Sequence, residues 1–418
     1  MRKETLAIHS GYKRDGENTM AVPIYQTTAY QFKDSQYAAD LFELKELGNI
    51  YTRLMNPTTD VFEKRMAELE GGVGGLATSS GMAAITYSIL NLAEVGDNII
   101  ASSKLYGGTV TLFTHTLKRF GIEVRFFDLN NPEEIENLID ADTKAIFFET
   151  LSNPSIDLAD VEAIAKIGEK HGIVTVTDNT VATPILLQPI KFGVDVVVHS
   201  ASKYATGQGL AIGGIVVERA ELVEKLRGNR RYKQFNEPDT SYHGLVYVDV
   251  PLPVFTLRMR LSLLRDMGAS LSPFNSWIFI QGLETLPLRI KQHSQNALQV
   301  AKFLESHPKV KSVNYPLLDG DRDRELAEKY LKDGASGLLS FEVESFEEAK
   351  RVVDSVKLFT IVANIGDSKS IITHPASTTH QQLSEEELEK AGVGKGLIRL
   401  SIGLENAEDL IDDLREVI

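Results

Sequence analysis

The chain contains no cysteine, which excludes disulfides, thiolate nucleophiles and cysteine-ligated metals together. It has a single tryptophan, Trp277, and no apolar run that approaches the length needed to cross a bilayer. The first residues, Met1-Arg2-Lys3-Glu4-Thr5, lack the apolar core of a signal peptide, so a cytoplasmic location is the expectation. Positive charge is in deficit: 44 Lys and Arg against 58 Asp and Glu leave a formal charge of −14. That balance disfavours non-specific binding to nucleic acid or anionic membrane, because the net field repels phosphates. Internal repeats and low-complexity segments are absent. His374 and His380 lack the helical His-Glu spacing of a zinc site, and no metal is expected.

What is present reads as alternation. Apolar strand-like runs at 98–101, 123–127, 145–149, 173–177, 194–198 and 213–217 are separated by helical patterns at 82–93, 110–120, 132–139 and 161–171. That period implies a largely parallel sheet covered by helices on both faces. A polar loop at 229–253 breaks it, though its aromatics argue against disorder. Helical text from 253 to 306, with Trp277 expected in the core, links to a smaller α/β domain. Its expected strands lie at 310–313, 337–343 and 397–402, and its helices at 323–331, 346–356 and 385–391. Residues 1 to about 50 form an arm, extended near 23–30, that packs on something else.

The chemistry gathers at strand ends. Lys203 follows the run 194–198, and Asp178 follows 173–177, so amine and carboxylate share the carboxyl edge where open α/β sheets bind ligands. A lysine in that place is, alone, an ordinary surface residue. Its company matters: Ser200 and Ser202 add hydroxyls, and Gly207, Gly209, Gly213 and Gly214 permit close backbone approach. Pyridoxal phosphate needs this set, a lysine to form a Schiff base with its aldehyde and a carboxylate to keep its pyridine nitrogen protonated.

Other strand ends point to the same rim, with Tyr106-Gly107-Gly108-Thr109 after one and Glu149-Thr150-Leu151-Ser152-Asn153-Pro154 after another. The run Gly71 to Gly75 lacks the lysine and hydroxyl of a nucleotide P-loop. Ala77-Thr78-Ser79-Ser80-Gly81-Met82 is the better anion site, because free amides and the dipole at a helix start favour phosphate. Ser79 or Ser80 can equally be an N-cap. Arg53, in Tyr51-Thr52-Arg53, can hold a phosphate or pair with a surface acid. Arg399, inside the apolar strand Ile398 to Ile402, needs an anion, either a substrate α-carboxylate or an internal acid.

With these motifs the sequence resembles the cysteine and methionine metabolism family of pyridoxal phosphate enzymes, and within it the O-acetylhomoserine sulfhydrylases. The likeness runs from Ala7-Ile8-His9-Ser10-Gly11 to Arg399-Leu400-Ser401-Ile402-Gly403-Leu404-Glu405. The stretches Glu237-Pro238-Asp239-Thr240-Ser241-Tyr242-His243-Gly244 and His374-Pro375-Ala376-Ser377-Thr378-Thr379-His380 narrow the subgroup. Asn364-Ile365-Gly366-Asp367 matches the sulfhydrylase habit where many members carry a serine. Gly108 departs from methionine-degrading lyases, which often carry cysteine there.

The resemblance implies a fold-type I architecture: an arm at 1–55, a large cofactor domain with a mainly parallel seven-stranded sheet at 56–255, and linking helices with a small domain at 256–418. It implies that Lys203 forms the Schiff base, Asp178 holds the pyridine nitrogen and Tyr106 stacks on the ring. Ser200, Ser202 and the amides of Gly81 and Met82 hold the phosphate, which Tyr51 and Arg53 reach from a neighbouring subunit of a dimer that pairs into a tetramer. Arg399 binds the substrate carboxylate, with Asn364 and Asn153 beside it. Tyr51 or Tyr106 assists proton movement, and the loop at 236–243 shapes thiol access. The implied reaction is γ-replacement on O-acetylhomoserine by sulfide or methanethiol. Methionine γ-lyase, cystathionine γ-synthase and O-succinylhomoserine sulfhydrylase activities are the alternatives on the same scaffold, and a non-catalytic cofactor-binding protein is a further one.

Overall fold

Short strand-forming runs make the centre of the chain, and all but the edge run Glu123–Phe127 are largely buried. In a computed structural model, which describes residues 1–14, 16–378, 381, 388 and 392–418, seven of them form one sheet. They are β1 (Gly74–Thr78), β2 (Asn98–Ser102), β3 (Glu123–Phe127), β4 (Thr143–Glu149), β5 (Val174–Asp178), β6 (Val196–Ser200) and β7 (Gly214–Glu218), in the order β1-β7-β6-β5-β4-β2-β3. Neighbours are parallel except where β7 meets β1 and β6. Successive strand residues face opposite ways. Ile146, Phe148 and Val197 therefore enter one core, and Ala145, Phe147, Val196 and Val198 enter the other.

The one antiparallel strand has a local cause. After β6 the chain turns through residues 201–213, which include Lys203, and comes back alongside β6 as β7 instead of crossing over the sheet. Gly207 and Gly209 adopt φ of 71° and 63° in this turn, a left-handed backbone that glycine takes without steric cost.

A second sheet comprises β8 (Ser312–Asn314), β9 (Leu338–Glu342), β10 (Thr360–Ile361), β11 (Ile371–Thr373) and β12 (Leu397–Ser401), ordered β10-β11-β12-β9-β8. Arg399 sits mid-strand in β12, opposite Ser340 on β9 and Thr373 on β11. The arm includes a helix, Lys3–His9, packed on the helices Pro57–Glu70 and Pro273–Ser306.

Several expectations need correction. Strand β1 went unread because its glycines mask it; Gly71 instead caps the helix Pro57–Glu70 at φ 80°, and a Cβ on Gly75 would lie 2.5 Å from the Glu63 carbonyl oxygen. The helix expected at 110–120 starts at Gly107 and contains a π turn at Leu112–Thr116. That at 132–139 shrinks to a 3-10 turn followed by Ile135–Leu138.

The helical text of 253–306 divides where Gly268 takes φ 79°, before the long helix Pro273–Ser306. Trp277 is half-buried and stacks on exposed Phe274, because the buried stripe of that helix runs through Ser276, Phe279, Ile280 and Leu283. The loop at 229–253 is largely packed, with Tyr232, Phe235 and Tyr247 fully buried. Strands β10 and β11 are too short to show a period. The helix Ala407–Val417 went unread although Leu410, Ile411, Leu414 and Val417 recur at helical spacing. The helix expected at 385–391, apart from Leu388, and His380 lie outside the described residues.

Candidate active site

The carboxyl edge of the large sheet opens on a cavity of about 470 Å³ whose wall includes Lys203, Asp178, Tyr106, Asn153, Asn364 and Arg399. Lys203 lies just past the end of β6. Its amine donates to Asn364 Oδ1 at 2.6 Å. Burial, with the Arg399 charge nearby, brings its pKa down to about 8, because leaving water disfavours the ammonium form. Lys203 therefore passes from acid to base close to neutrality. It is the only lysine on the cavity wall among the described residues.

Arg399 reaches the same cavity from the small sheet. One terminal nitrogen donates to Asn153 Oδ1 at 2.9 Å and the other to the Asn364 carbonyl at 3.0 Å, while Nε has no partner among the described residues. Among the described residues no carboxylate pairs with it. Burial pulls its pKa down to about 10. A buried guanidinium with a donor to spare can take a carboxylate.

Asp178 is the last residue of β5, and its Oδ1 accepts from the Thr180 amide at 2.8 Å. Burial raises its pKa. Glu149 is the last residue of β4 and pairs in register with Asp178. Its oxygens accept from the Tyr106 amide at 2.6 Å and the Asn153 amide at 3.1 Å. Burial, and then the Asp178 charge, push Glu149 well above the usual carboxylate range. Sequence reading put Glu149 on this rim but gave it no role. The available signal was an acid closing an apolar strand next in register to Asp178.

Tyr106 presents its ring at the cavity, and a Cβ on Gly108 would come within 2.6 Å of its Cε1. The glycine therefore lets the ring lie where it does. At the far side, Ser80 Oγ accepts from the Ala83 amide at 3.1 Å, making Ser80 the cap of the helix Gly81–Leu92. The amides of Gly81 and Met82 have no acceptor among the described residues, as the first turn of a helix leaves them. Gly81 is needed there, since a Cβ would meet that of Ser200 at 2.6 Å. Ser200 and Ser202 line the same wall, and Ser202 Oγ also bridges Gly213 N and O at 3.0 and 3.2 Å.

Two expected residues are not brought in. Tyr51 and Arg53 are exposed, with the guanidinium 5.1 Å from the Tyr51 ring centroid, and neither lines this chain's cavity. Residues Ser241, Tyr242 and His243 line a separate cavity of about 220 Å³ with arm residues including Leu41 and Leu47. None of residues 236–243 lies on the wall of the Lys203 cavity.

The residues present fit pyridoxal phosphate. An amine near its neutral point, a strand-end carboxylate, an aromatic face and a helix start with free amides stand around one cavity, with a carboxylate receptor opposite. Fold and cavity together define a fold-type I pyridoxal phosphate enzyme.

Known proteins agree. A family model described as Cys/Met metabolism PLP-dependent enzyme matches residues 4–418. The chain belongs to that family. It is 48% identical to an O-acetyl-L-homoserine sulfhydrylase of Leptospira meyeri, over 100% of this chain and 96% of that protein. With a homocysteine/cysteine synthase of Saccharomyces cerevisiae it shares 43% identity over 99% of this chain and 96% of that one. A Campylobacter jejuni crystal structure, proposed to be an O-acetylhomoserine (thiol)-lyase and holding N'-pyridoxyl-lysine-5'-monophosphate, matches at TM-score 0.99 and 57% identity over 100% of both chains.

Proposed function

We propose that the protein catalyses γ-replacement on O-acetyl-L-homoserine, with sulfide giving L-homocysteine and acetate, and methanethiol giving L-methionine. The observation that carries this reading is the joining of Lys203 and Arg399 through Asn364 in one cavity. An amino acid whose carboxylate lies on Arg399 then has its α-carbon within reach of the lysine. Relatives named as sulfhydrylases and homocysteine synthases, 43 to 48% identical over nearly the whole chain, supply the substrate class.

Pyridoxal phosphate, when bound, supplies an aldehyde that captures amino groups and a protonated ring that draws electrons from the α-carbon. Lys203 would anchor it at rest and would serve as the base at Cα. Its Nζ would take the α-proton, hand it on so that the amine is free again, and then take a β-proton. The Cγ–O bond breaks with its electrons leaving on acetate, sulfur forms the new bond at Cγ, and Lys203 returns protons to Cβ and Cα. Asp178 keeps the pyridine nitrogen protonated, and Tyr106 covers the ring. Gly81, Met82, Ser200 and Ser202 hold the phosphate, while Arg399, Asn153 and Asn364 orient the donor carboxylate. Tyr51 or Tyr106 passes a proton.

Tyr51 and Arg53, exposed on an arm that also exposes Met20, Phe42 and Leu47, complete the phosphate site of a second copy in a dimer that pairs into a tetramer. The same reading divides the chain into arm 1–55, large domain 56–255 and small domain with linking helices 256–418. Among the described residues no helix is long and apolar enough to cross a membrane.

Product partition tests the activity. Cofactor-loaded protein given O-acetylhomoserine with equal sulfide and cysteine is expected to yield homocysteine and acetate in equal amounts, well ahead of cystathionine, and methionine alone should yield no α-ketobutyrate. Cystathionine or α-ketobutyrate as the main product would move the protein to a sister reaction.

A further inference from the structure

We infer that Glu149 is a positioning residue that ties the aromatic face over the cofactor to the receptor for the donor carboxylate. Its two oxygens hold two main-chain amides on different loops, Tyr106 after β2 at 2.6 Å and Asn153 after β4 at 3.1 Å. Asn153 Oδ1 in turn accepts from Arg399 at 2.9 Å. From Arg399 the path continues through the Asn364 carbonyl at 3.0 Å, and Asn364 Oδ1 accepts from Lys203 at 2.6 Å. One carboxylate thus fixes both ends of the cavity.

The architecture explains why this residue can do so. Glu149 ends β4 in register with Asp178, so both acids project from the same face and edge of the sheet. Glu149 is 5% exposed, and a buried carboxylate that accepts two amide hydrogen bonds has little freedom to move. Burial and the Asp178 charge work against the anion, while the two amides favour it. This inference rests on the assignment of Arg399 to the donor carboxylate and of Tyr106 to the cofactor ring.

Glu149→Gln keeps the size but leaves one oxygen to accept, so one amide loses its partner. Each lost bond to a buried group weakens the contact it supports by about tenfold. In the cofactor-loaded protein, KM for O-acetylhomoserine or the cofactor dissociation constant, measured by equilibrium dialysis, is expected to rise by about that factor, according to whether the Asn153 or the Tyr106 amide loses its acceptor. In an Asn153→Ala background the link to Arg399 is already cut. There Glu149→Gln should add less than about twofold to KM, while any effect it has on cofactor binding persists. Independent, multiplying effects on KM, or no change in either constant, would overturn the inference. Should Glu149→Gln fail to fold, Glu149→Asp retains both acceptors at shorter reach and should give the same pattern at smaller size. Unchanged constants in that variant overturn it equally. Cofactor binding does not depend on which donor is used, so a failure of the proposed reaction would leave that arm of the test intact.

Discussion

Lys203→Ala is expected to lower turnover by at least about ten-thousand-fold, the combined loss of a covalent anchor and of the base at Cα. The effect should be this large because no second lysine lines the cavity among the described residues. Asn364, the partner of the Lys203 amine, has no basic nitrogen to take over. The variant should still bind the cofactor, since the amides of Gly81 and Met82, the serine hydroxyls and Asp178 remain, but the cofactor should wash out on dialysis. Small primary amines in the assay are expected to restore part of the rate. Steady-state rates with and without added amine measure this. Full turnover without amine would mean that the proton transfers use another residue.

Substitution of Arg399 should give the second largest loss. Removing one partner of a buried, hydrogen-bonded charge pair costs about 2–5 kcal/mol, so Arg399→Met is expected to lower kcat/KM by roughly thirty- to several-thousand-fold, mostly through KM. Stability should behave differently. In the protein without substrate, Arg399 is buried among an amide, a carbonyl and no described carboxylate, with Nε unsatisfied. Replacing such a cation by an apolar residue of similar volume is often neutral or stabilising. The thermal midpoint without substrate should therefore hold or rise while KM climbs. A fall in the midpoint that matches the loss of activity would make Arg399 a structural residue.

The sequence carried the site better than the folds around it. Lys203 and Asp178 were legible because each follows an apolar run too short for a helix, and the carboxyl edge of a parallel sheet gathers such ends from distant places in the chain. Arg399 was legible as a charge inside an apolar strand, and its acceptors among the described residues are an amide oxygen and a carbonyl oxygen. Glu149 escaped because its importance lies in main-chain amides on two loops, and nothing in a side-chain pattern announces them.

The reverse course of β7 was equally hidden. Its residues read like those of any buried strand, and its direction follows from the turn that carries Lys203. Strand β1 failed for a different reason: glycines demanded by tight packing against Glu63, Pro253 and Thr256 removed the β-branched signal. Trp277 shows the opposite error, a residue type prized in cores that lies off the buried stripe of its helix.

The central claim is that Lys203 removes protons from both Cα and Cβ before sulfur replaces acetate at Cγ. Running the sulfide reaction in deuterium oxide and examining the homocysteine by mass spectrometry and proton NMR tests it most directly. The account predicts deuterium at both Cα and Cβ, because the Lys203 amine exchanges with solvent between taking and returning protons. Homocysteine with an unlabelled β-carbon would mean direct displacement at Cγ, and would contradict it.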